Sequence, residues 1–353
     1  MRNVRRGFAR SAAALGALAV LAVVTLTLLA AATPSSDYLF LPSPAQPVAP
    51  VVKVAGEAPD PAPNGPGFLF TAVAQRRASR LEAWLPFLRD DHAELVPMSA
   101  LIPPGGTPQE QDQVDRTAMT DSQRTAAAVA EKALGRPVKI TTRGVRVDDT
   151  AVPGGSPARG AGLQSGDVIT SVDGAAVTTL AQLRQLLTGR KVGDVVTLGY
   201  LRSGRPSTTK VPLRASPDAG QGGRPILGIG ASDDVQIALP VPVTYSIGDV
   251  EGPSAGLAFA LEVYSALTGR KLAHDRRVAV TGALDINGDV EPIGGAEQKA
   301  IGAAQSGAEL FLVPTANLAE ARKGAPKSLR VIPVKSFADA IAQLDKLPPI
   351  STK

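Results

Sequence analysis

The chain has no cysteine among its 353 residues, which excludes disulfides, thiolate metal sites and a cysteine nucleophile together. It has two histidines, His92 and His274, little material for an imidazole metal site. His92 falls among Asp90, Asp91 and Glu94 and reads as part of a solvated acidic loop, so neither a metal nor another cofactor is expected. No Gly-x-x-x-x-Gly-Lys-Ser/Thr phosphate loop occurs in the sequence, which removes the common route to ATP binding. Charge is absent between Arg10 and Asp37. The formal excess of +5 lies largely in Arg2, Arg5, Arg6 and Arg10, so nucleic acid is not expected as a partner.

What the charge-free stretch contains is an almost continuous apolar run, Ala12 to Ala32, and about twenty such residues are enough to span a bilayer. Ala30-Ala31-Ala32 would also serve as a signal-peptide cleavage site, but the apolar cores of signal peptides are shorter, which favours a retained anchor. Residues 1–36 are therefore expected to be a basic cytoplasmic tail and a transmembrane helix. The expected location is the cell membrane, single-pass, with everything after Asp37 outside the cytoplasm. Residues 37–134 form an N-terminal extracytoplasmic region. In it Pro42 to Pro66 reads as a proline-rich linker with one strand, and Asp121 to Leu134 as a helix capped by Asp121. Leu81, Trp84, Leu85 and Leu88 recur at helical spacing across Pro86. A face packed on the protein body is the simplest account of them, and a membrane-lying segment helped by Arg76, Arg77 and Arg80 is the alternative.

From Val138 to Leu213 the pattern changes to strands at Lys139 to Val147, Val168 to Val172, Val195 to Arg202 and Thr208 to Leu213, with an amphipathic helix at Leu180 to Leu187. Between them lie Gly155-Ser-Pro-Ala158, Gly162-Leu-Gln-Ser-Gly-Asp-Val-Ile169 and Val172-Asp-Gly174. In that order these resemble the signature of a bacterial PDZ domain, assigned here to residues 135–216. The resemblance implies that a peptide tail adds as a strand beside a helix. The groove is expected at Gly144, Val145 and Val147 on the strand side and Leu183 on the helix side. The usual loop motif before the groove strand is reduced to Thr142-Arg-Gly144. A PDZ fold that only positions its neighbour is the plainer reading.

The stretch Gly248-Asp-Val-Glu-Gly-Pro-Ser-Ala-Gly256 precedes the apolar run Leu257 to Leu267 and puts Ser254 at a helix start. A serine there is an ordinary N-cap, or a nucleophile at the positive end of a helix dipole with backbone N–H groups at hand for an oxyanion. The second reading needs a base. His274 beside Asp275 is one candidate, but Arg270, Lys271, Arg276 and Arg277 surround it as they would a solvated turn. Lys299 lies in Gly294-Gly-Ala-Glu-Gln-Lys-Ala-Ile-Gly-Ala-Ala304, on a helix of small and apolar residues, downstream of a hairpin turn at Asn287-Gly288. Taken alone it is a snorkelling surface lysine. Buried, it would lose part of its proton affinity and serve as a base.

Gly252-Pro-Ser-Ala-Gly256, Thr281-Gly282, Pro292-Ile-Gly-Gly295 with Lys299, and Leu310-Phe-Leu-Val-Pro314 together resemble the proteolytic domain of Lon-type serine-lysine proteases, assigned here to residues 224–348. An anchor, a PDZ domain and a Lon-like domain in this order resemble a bacterial family of membrane-anchored PDZ/Lon-like proteases. The implied fold is α+β multidomain: a transmembrane helix, a β-rich PDZ domain and an α/β proteolytic domain. The resemblance implies Ser254 as nucleophile, Lys299 as general base, Thr281 orienting the lysine, and the backbone N–H groups of Ser254 and Gly252 as oxyanion hole. It also implies protein or peptide substrates, with a hexamer as the oligomer. Without a phosphate loop the expected activity is ATP-independent endoproteolysis, the PDZ domain recruiting or gating substrate. The rival is a non-catalytic scaffold or regulatory binding protein. Glu251, where relatives carry Gly or Asp, is the one feature that favours it.

Overall fold

A computed structural model describes residues 2–55, 65–103, 106–150, 155–217 and 223–348, with side chains from Gly16 onward. The chain divides into two compact units, Met1–Pro42 with Val73–Ala100, and Ser43–Ala72 with Leu101–Lys353.

In the first unit a helix covers Arg2–Ala32, and strand Pro34–Pro42 lies between Val73–Ser79 and Glu94–Pro97 in an antiparallel sheet. Among the described residues no helix is long and apolar enough to cross a membrane. Ser79 and Glu82 form a capping box that starts the short helix Arg80–Trp84, as expected of a serine three residues before a glutamate. Arg76 binds Glu82 at 2.6 Å and holds its carboxyl down to about 2. The packed face expected for Trp84 is absent: Trp84 is 70% and Phe87 78% exposed. The helical spacing is broken there, since Pro86 turns the chain into a 3-10 segment, Pro86–Leu88.

Among its described residues the second unit holds a six-stranded and a five-stranded sheet, with three two-stranded pairs beside them. In the first, the strands run in the order Arg205–Pro212, Val195–Arg202, Val168–Val172, Lys139–Asp149, Gly230–Ala238. Helix Leu180–Leu187 starts where expected, with Thr179 accepting from the Gln182 N–H. Val145, Val147, Leu163, Ile169, Leu183 and Leu198 fill the core. The Gly-Asp of the signature has a structural cause: buried Asp167 accepts from the Gln164 N–H at 2.9 Å and from Arg202 at 2.6 Å. Gly230–Ala238 was assigned to the next domain, yet it pairs along nearly its whole length with Lys139–Asp149.

In the second sheet the order is Gln46–Pro47, Gly67–Phe70, Arg277–Val280, Leu310–Pro314, Arg330–Val334, the last four parallel. Side chains alternate as strand geometry requires. Phe68, Phe70, Val278, Val280, Leu310 and Leu312 face the helix Gly256–Thr268, hereafter the serine helix. Leu69, Ala279, Phe311 and Val313 face Ala296, Ala300 and Ala303 of Ala296–Gln305, the lysine helix. Both faces are thus covered, as a parallel sheet demands. The expected linker is corrected here too. Its described part supplies strands Gln46–Pro47 and Val52–Val54, the latter pairing with Val243–Tyr245. The Ala45 N–H meets the Gly302 carbonyl at 3.4 Å, and a Cβ on Gly302 would lie 1.9 Å from the Ser43 carbonyl oxygen. Valines and small residues carry this segment's packing in spite of its prolines.

The helix expected at Asp121 to Leu134 begins thirteen residues earlier, and this long helix covers Pro108–Ala133. Its start is a capping box of Thr107 and Glu110 with proline in the first turn, a pattern legible in Thr107-Pro-Gln-Glu110.

Candidate active site and peptide groove

Ser254 sits in the 3-10 turn Pro253–Ala255 that opens into the serine helix. Three neighbours fix the turn. The Gly282 N–H donates to the Ser254 carbonyl at 2.8 Å, and the Leu257 N–H to the Gly282 carbonyl at 3.0 Å. From the long helix, Ser122 donates to the Pro253 carbonyl at 3.0 Å and the Asp115 carbonyl accepts from the Gly252 N–H at 3.1 Å. Gly256 is required by this crowding, since a Cβ there would lie 2.7 Å from Ser122 Oγ. Gly252 has φ 83, a left-handed conformation that suits glycine.

Lys299 lies on the first turns of the lysine helix and is 3% exposed. Its burial pulls the ammonium pKa down from 10.5 to about 8, with Glu320 opposing the shift through its negative charge. Thr281 is fully buried and links the two groups: its hydroxyl donates to the Ser254 carbonyl at 3.3 Å and accepts from Lys299 Nζ at 3.5 Å. Thr281 follows strand Arg277–Val280 at its carboxyl end, the end at which parallel α/β sheets present their sites.

Of the predicted residues, Ser254, Thr281 and Lys299 therefore come together around one buried threonine hydroxyl. Gly252 is displaced from its expected part, because its N–H is spent on the Asp115 carbonyl. The Ser254 N–H, at a helix start where no intrahelical acceptor exists, stays suited to an oxyanion. His274 occupies the turn after the serine helix. Thirteen helical residues, about 20 Å, separate that end from the Ser254 end. Glu251 pairs with Arg116 of the long helix at 2.8 Å. Among the described residues no group of His, Cys, Asp and Glu could hold a metal.

Residues that no motif marked complete the setting. Asn317 clamps Ile293 in both directions, at 2.9 and 2.8 Å. Glu320 accepts from the Ala296 N–H at 2.7 Å and so caps the lysine helix. Asp115 and Arg116 lie before Asp121, where the helix was expected to begin, and were not marked as part of it.

The groove expected on Gly144, Val145 and Val147 is not there. Their strand has Val168–Val172 on one side and Gly230–Ala238 on the other, so it offers no free edge for an added peptide strand. Val145 and Val147 are fully buried, and a Cβ on Gly144 would lie 2.6 Å from the Ile169 carbonyl oxygen. Leu183 does line a cavity of about 480 Å³, but the opposite wall is Ile226, Leu227, Gly228, Ile229 and Ala231. A signal was present in Pro225-Ile-Leu-Gly-Ile-Gly230, a short apolar run with glycines before a strand, which the expected boundary at 224 gave to the proteolytic domain.

Residues 132–213 match the family described as PDZ domain, and residues 231–344 match the Lon protease (S16) C-terminal proteolytic domain. Lon protease 2 of Bacillus subtilis is 34% identical over 128 residues, 36% of this chain and 22% of that protein. The Lon protease of Chloroflexus aurantiacus is 31% identical over 229 residues, 64% of this chain and 25% of that protein. The PDZ domain of the SdrC-like protein from Listeria monocytogenes is 31% identical over 26% of this chain and 92% of its own length, with a TM-score of 0.23. The chain spans about a quarter of the length of these Lon relatives.

Proposed function

We propose that this chain, which carries a PDZ domain followed by a Lon-type proteolytic domain, is a serine endopeptidase that uses a Ser254–Lys299 dyad without ATP. One observation carries the reading. Lys299 is buried, its pKa lies at about 8, and the hydroxyl at 3.5 Å from its amine also binds the carbonyl of Ser254. A snorkelling lysine would keep its charge in water. This one is tuned toward the neutral form that a general base requires.

In the proposed reaction neutral Lys299 takes the proton from Ser254 Oγ as the oxygen bonds to the scissile carbonyl carbon, and the Ser254 N–H stabilises the oxyanion. The Lys299 ammonium then protonates the departing amine as the C–N bond breaks. Water, deprotonated by Lys299, attacks the acyl-enzyme ester, and as the C–Oγ bond breaks the Lys299 ammonium returns the proton to Ser254 Oγ and the acid leaves. Thr281 keeps the amine aimed throughout. Glu251, the feature that favoured a scaffold, is held by Arg116 and withdraws no catalytic group.

The working site belongs at the membrane surface in this reading. The apolar run to Ala32 supports an anchor, with Leu18, Leu21, Leu26 and Leu28 each more than 60% exposed on the helix, and Trp84 and Phe87 suit the bilayer interface. The basic start places the N terminus in the cytoplasm. Substrates are unfolded or carry exposed segments, and the PDZ domain recruits them by their tails; a hexamer is the expected assembly.

The test is turnover of an unfolded reporter protein by the full chain in detergent, with and without ATP, beside Ser254→Ala and Lys299→Ala. Cleavage by the parent alone, indifferent to ATP, is expected. Equal cleavage by all three overturns the dyad.

A further inference from the structure

The face of the long helix that enters the proteolytic core carries Met119, Ala126, Val129 and Ala130, and one hydroxyl interrupts this apolar stripe. Ser122 stands at the same helical spacing and is buried. A buried hydroxyl needs a hydrogen-bonding partner, and Ser122 spends its one proton on the Pro253 carbonyl at 3.0 Å. Gly256 leaves the room for it, since a Cβ there would lie 2.7 Å from Ser122 Oγ. Ser122 precedes both matched stretches, the PDZ domain from residue 132 and the proteolytic domain from residue 231.

The Pro253 carbonyl and the Ser254 N–H are the two ends of one planar trans peptide group. In such a group the C=O and the N–H point in opposite directions, so a partner that fixes the oxygen also aims the N–H. A hydrogen bond accepted by the carbonyl further polarises the amide and strengthens its N–H as a donor. On the same helix, about two turns before Ser122, the Asp115 carbonyl accepts from the Gly252 N–H at 3.1 Å. The long helix therefore holds the serine turn at two points, with the Gly252–Pro253 peptide between them. The Gly256 N–H also donates to the Pro253 carbonyl, so the turn keeps a bond of its own when the Ser122 hydroxyl is removed, while the peptide plane loses one of two anchors.

We propose that Ser122 is a positioning residue for the oxyanion site: by holding the Pro253 carbonyl from the far side, it aims and polarises the Ser254 N–H toward the substrate oxyanion. It acts through the Pro253–Ser254 peptide and touches no reacting atom. The role rests on Ser254 being the nucleophile, as proposed above, and adds to that site a residue from outside the proteolytic domain. The stretch 231–344 thus lacks one support of its own oxyanion site and borrows it from the helix that precedes the PDZ domain.

The test compares the full chain in detergent with Ser122→Ala, using as substrate a labelled peptide copied from a cleavage site in the unfolded reporter, and as inhibitor a peptide boronate of the same sequence. The boronate forms a tetrahedral adduct on Ser254 Oγ that places a hydroxyl where the oxyanion lies. Ser122→Ala is expected to lower kcat about tenfold, less than loss of an oxyanion donor itself, with KM changed by less than about twofold. Boronate affinity is expected to fall by the same factor as kcat, because both depend on the Ser254 N–H. The pH midpoint of the rate is expected to stay at the parent's value, because Lys299 is untouched. Should Ser122→Ala fail to fold, Ser122→Cys keeps a side chain of similar size with a weaker donor and is expected to show the same pattern at smaller amplitude. A parental kcat in the folded variant, a loss of kcat with boronate affinity unchanged, or a shifted pH midpoint overturns the role of Ser122. Cleavage that survives in Ser254→Ala overturns the dyad and this role with it, whereas cleavage lost in Ser254→Ala and parental in Ser122→Ala overturns this role alone.

Discussion

Replacing Lys299 with Met separates what this residue costs from what it does. Its pKa falls from 10.5 to about 8 on burial, so the folded state pays for holding the ammonium out of water. At about 1.4 kcal/mol per unit the cost is about 3 kcal/mol. The sign follows from proton counting. Between about pH 8 and 10.5 the unfolded chain binds the Lys299 proton and the folded chain does not, so stability rises with pH across that window. Below about 8 both states are protonated and the whole cost is present. Above 10.5 both are neutral and it is gone.

Methionine has a similar length and no charge, so Lys299→Met should be inactive and yet more stable at pH 7. Losing the contact to Thr281 at 3.5 Å subtracts about 1 kcal/mol, leaving a gain of about 2 kcal/mol. The gain should shrink to nothing or reverse by pH 10.5. The assay is urea unfolding of parent and variant at matched pH values, followed by far-UV circular dichroism. Tryptophan fluorescence would not serve, because the sole tryptophan, Trp84, belongs to the other unit. A variant less stable than the parent at pH 7, or a difference constant from pH 7 to 10.5, would refute the argument that Lys299 is strained by burial.

Three further outcomes follow from the same geometry. The rate of peptide cleavage should rise about tenfold per pH unit up to about pH 8 and then level; Glu320→Gln removes the charge that opposes the shift, so its profile should level at a lower pH, and an unmoved midpoint would count against Glu320 acting on the lysine. Thr281→Val should lower kcat about tenfold to a hundredfold with a smaller change in KM, because it loosens the aim of the base and leaves substrate contacts alone; steady-state kinetics at pH 9 would check it. Gly302→Ala should destabilise the second unit by about 3 kcal/mol or prevent its folding, since its Cβ would meet the backbone at Ser43, and a soluble variant with parental unfolding would show that this segment is the linker its prolines imply.

What was legible in the sequence and what was not divides along one physical line. Ser254, Thr281 and Lys299 stand out in the sequence because glycines and prolines around them form patterns that only a crowded backbone needs, such as Gly256 against Ser122 Oγ. Lys299 could not be told from a surface lysine by its own helix, since burial comes from the sheet residues Leu69, Ala279 and Phe311 facing that helix. The groove strand was misassigned for a related reason. Alternation in Lys139 to Val147 is equally compatible with an edge and a central strand, and only the return of Gly230–Ala238 from outside the matched stretch decides it. Long-range pairing of this kind leaves no local mark. The early turns of the long helix did leave one, in the Thr107–Glu110 capping box.

The pairing of strand Gly230–Ala238 with Lys139–Asp149 has a mechanical consequence for how the PDZ domain is coupled to the serine. Ala231, in the cavity wall, and Ser254 lie on one segment, which passes from strand Gly230–Ala238 through Pro240 and Pro242 to strand Val243–Tyr245 and the serine turn. The segment is pinned midway by Glu131 of the long helix, fully buried, which accepts from the Val241 N–H at 3.2 Å. The long helix also binds both ends of the route. It meets the PDZ domain through Glu110 with Arg159 at 2.9 Å and Asp121 with Arg146 at 2.5 Å, and the serine turn through Asp115 and Ser122. Glu110–Arg159 is an exposed pair, weak and screened, and Asp121–Arg146 is only half-buried, whereas the buried carboxylate and the backbone bonds at the turn are costly to break. The PDZ domain can therefore yield against the helix while the serine turn holds its shape. That ordering of strengths favours a PDZ domain that delivers substrate to a preformed site over one that assembles the site when a tail binds.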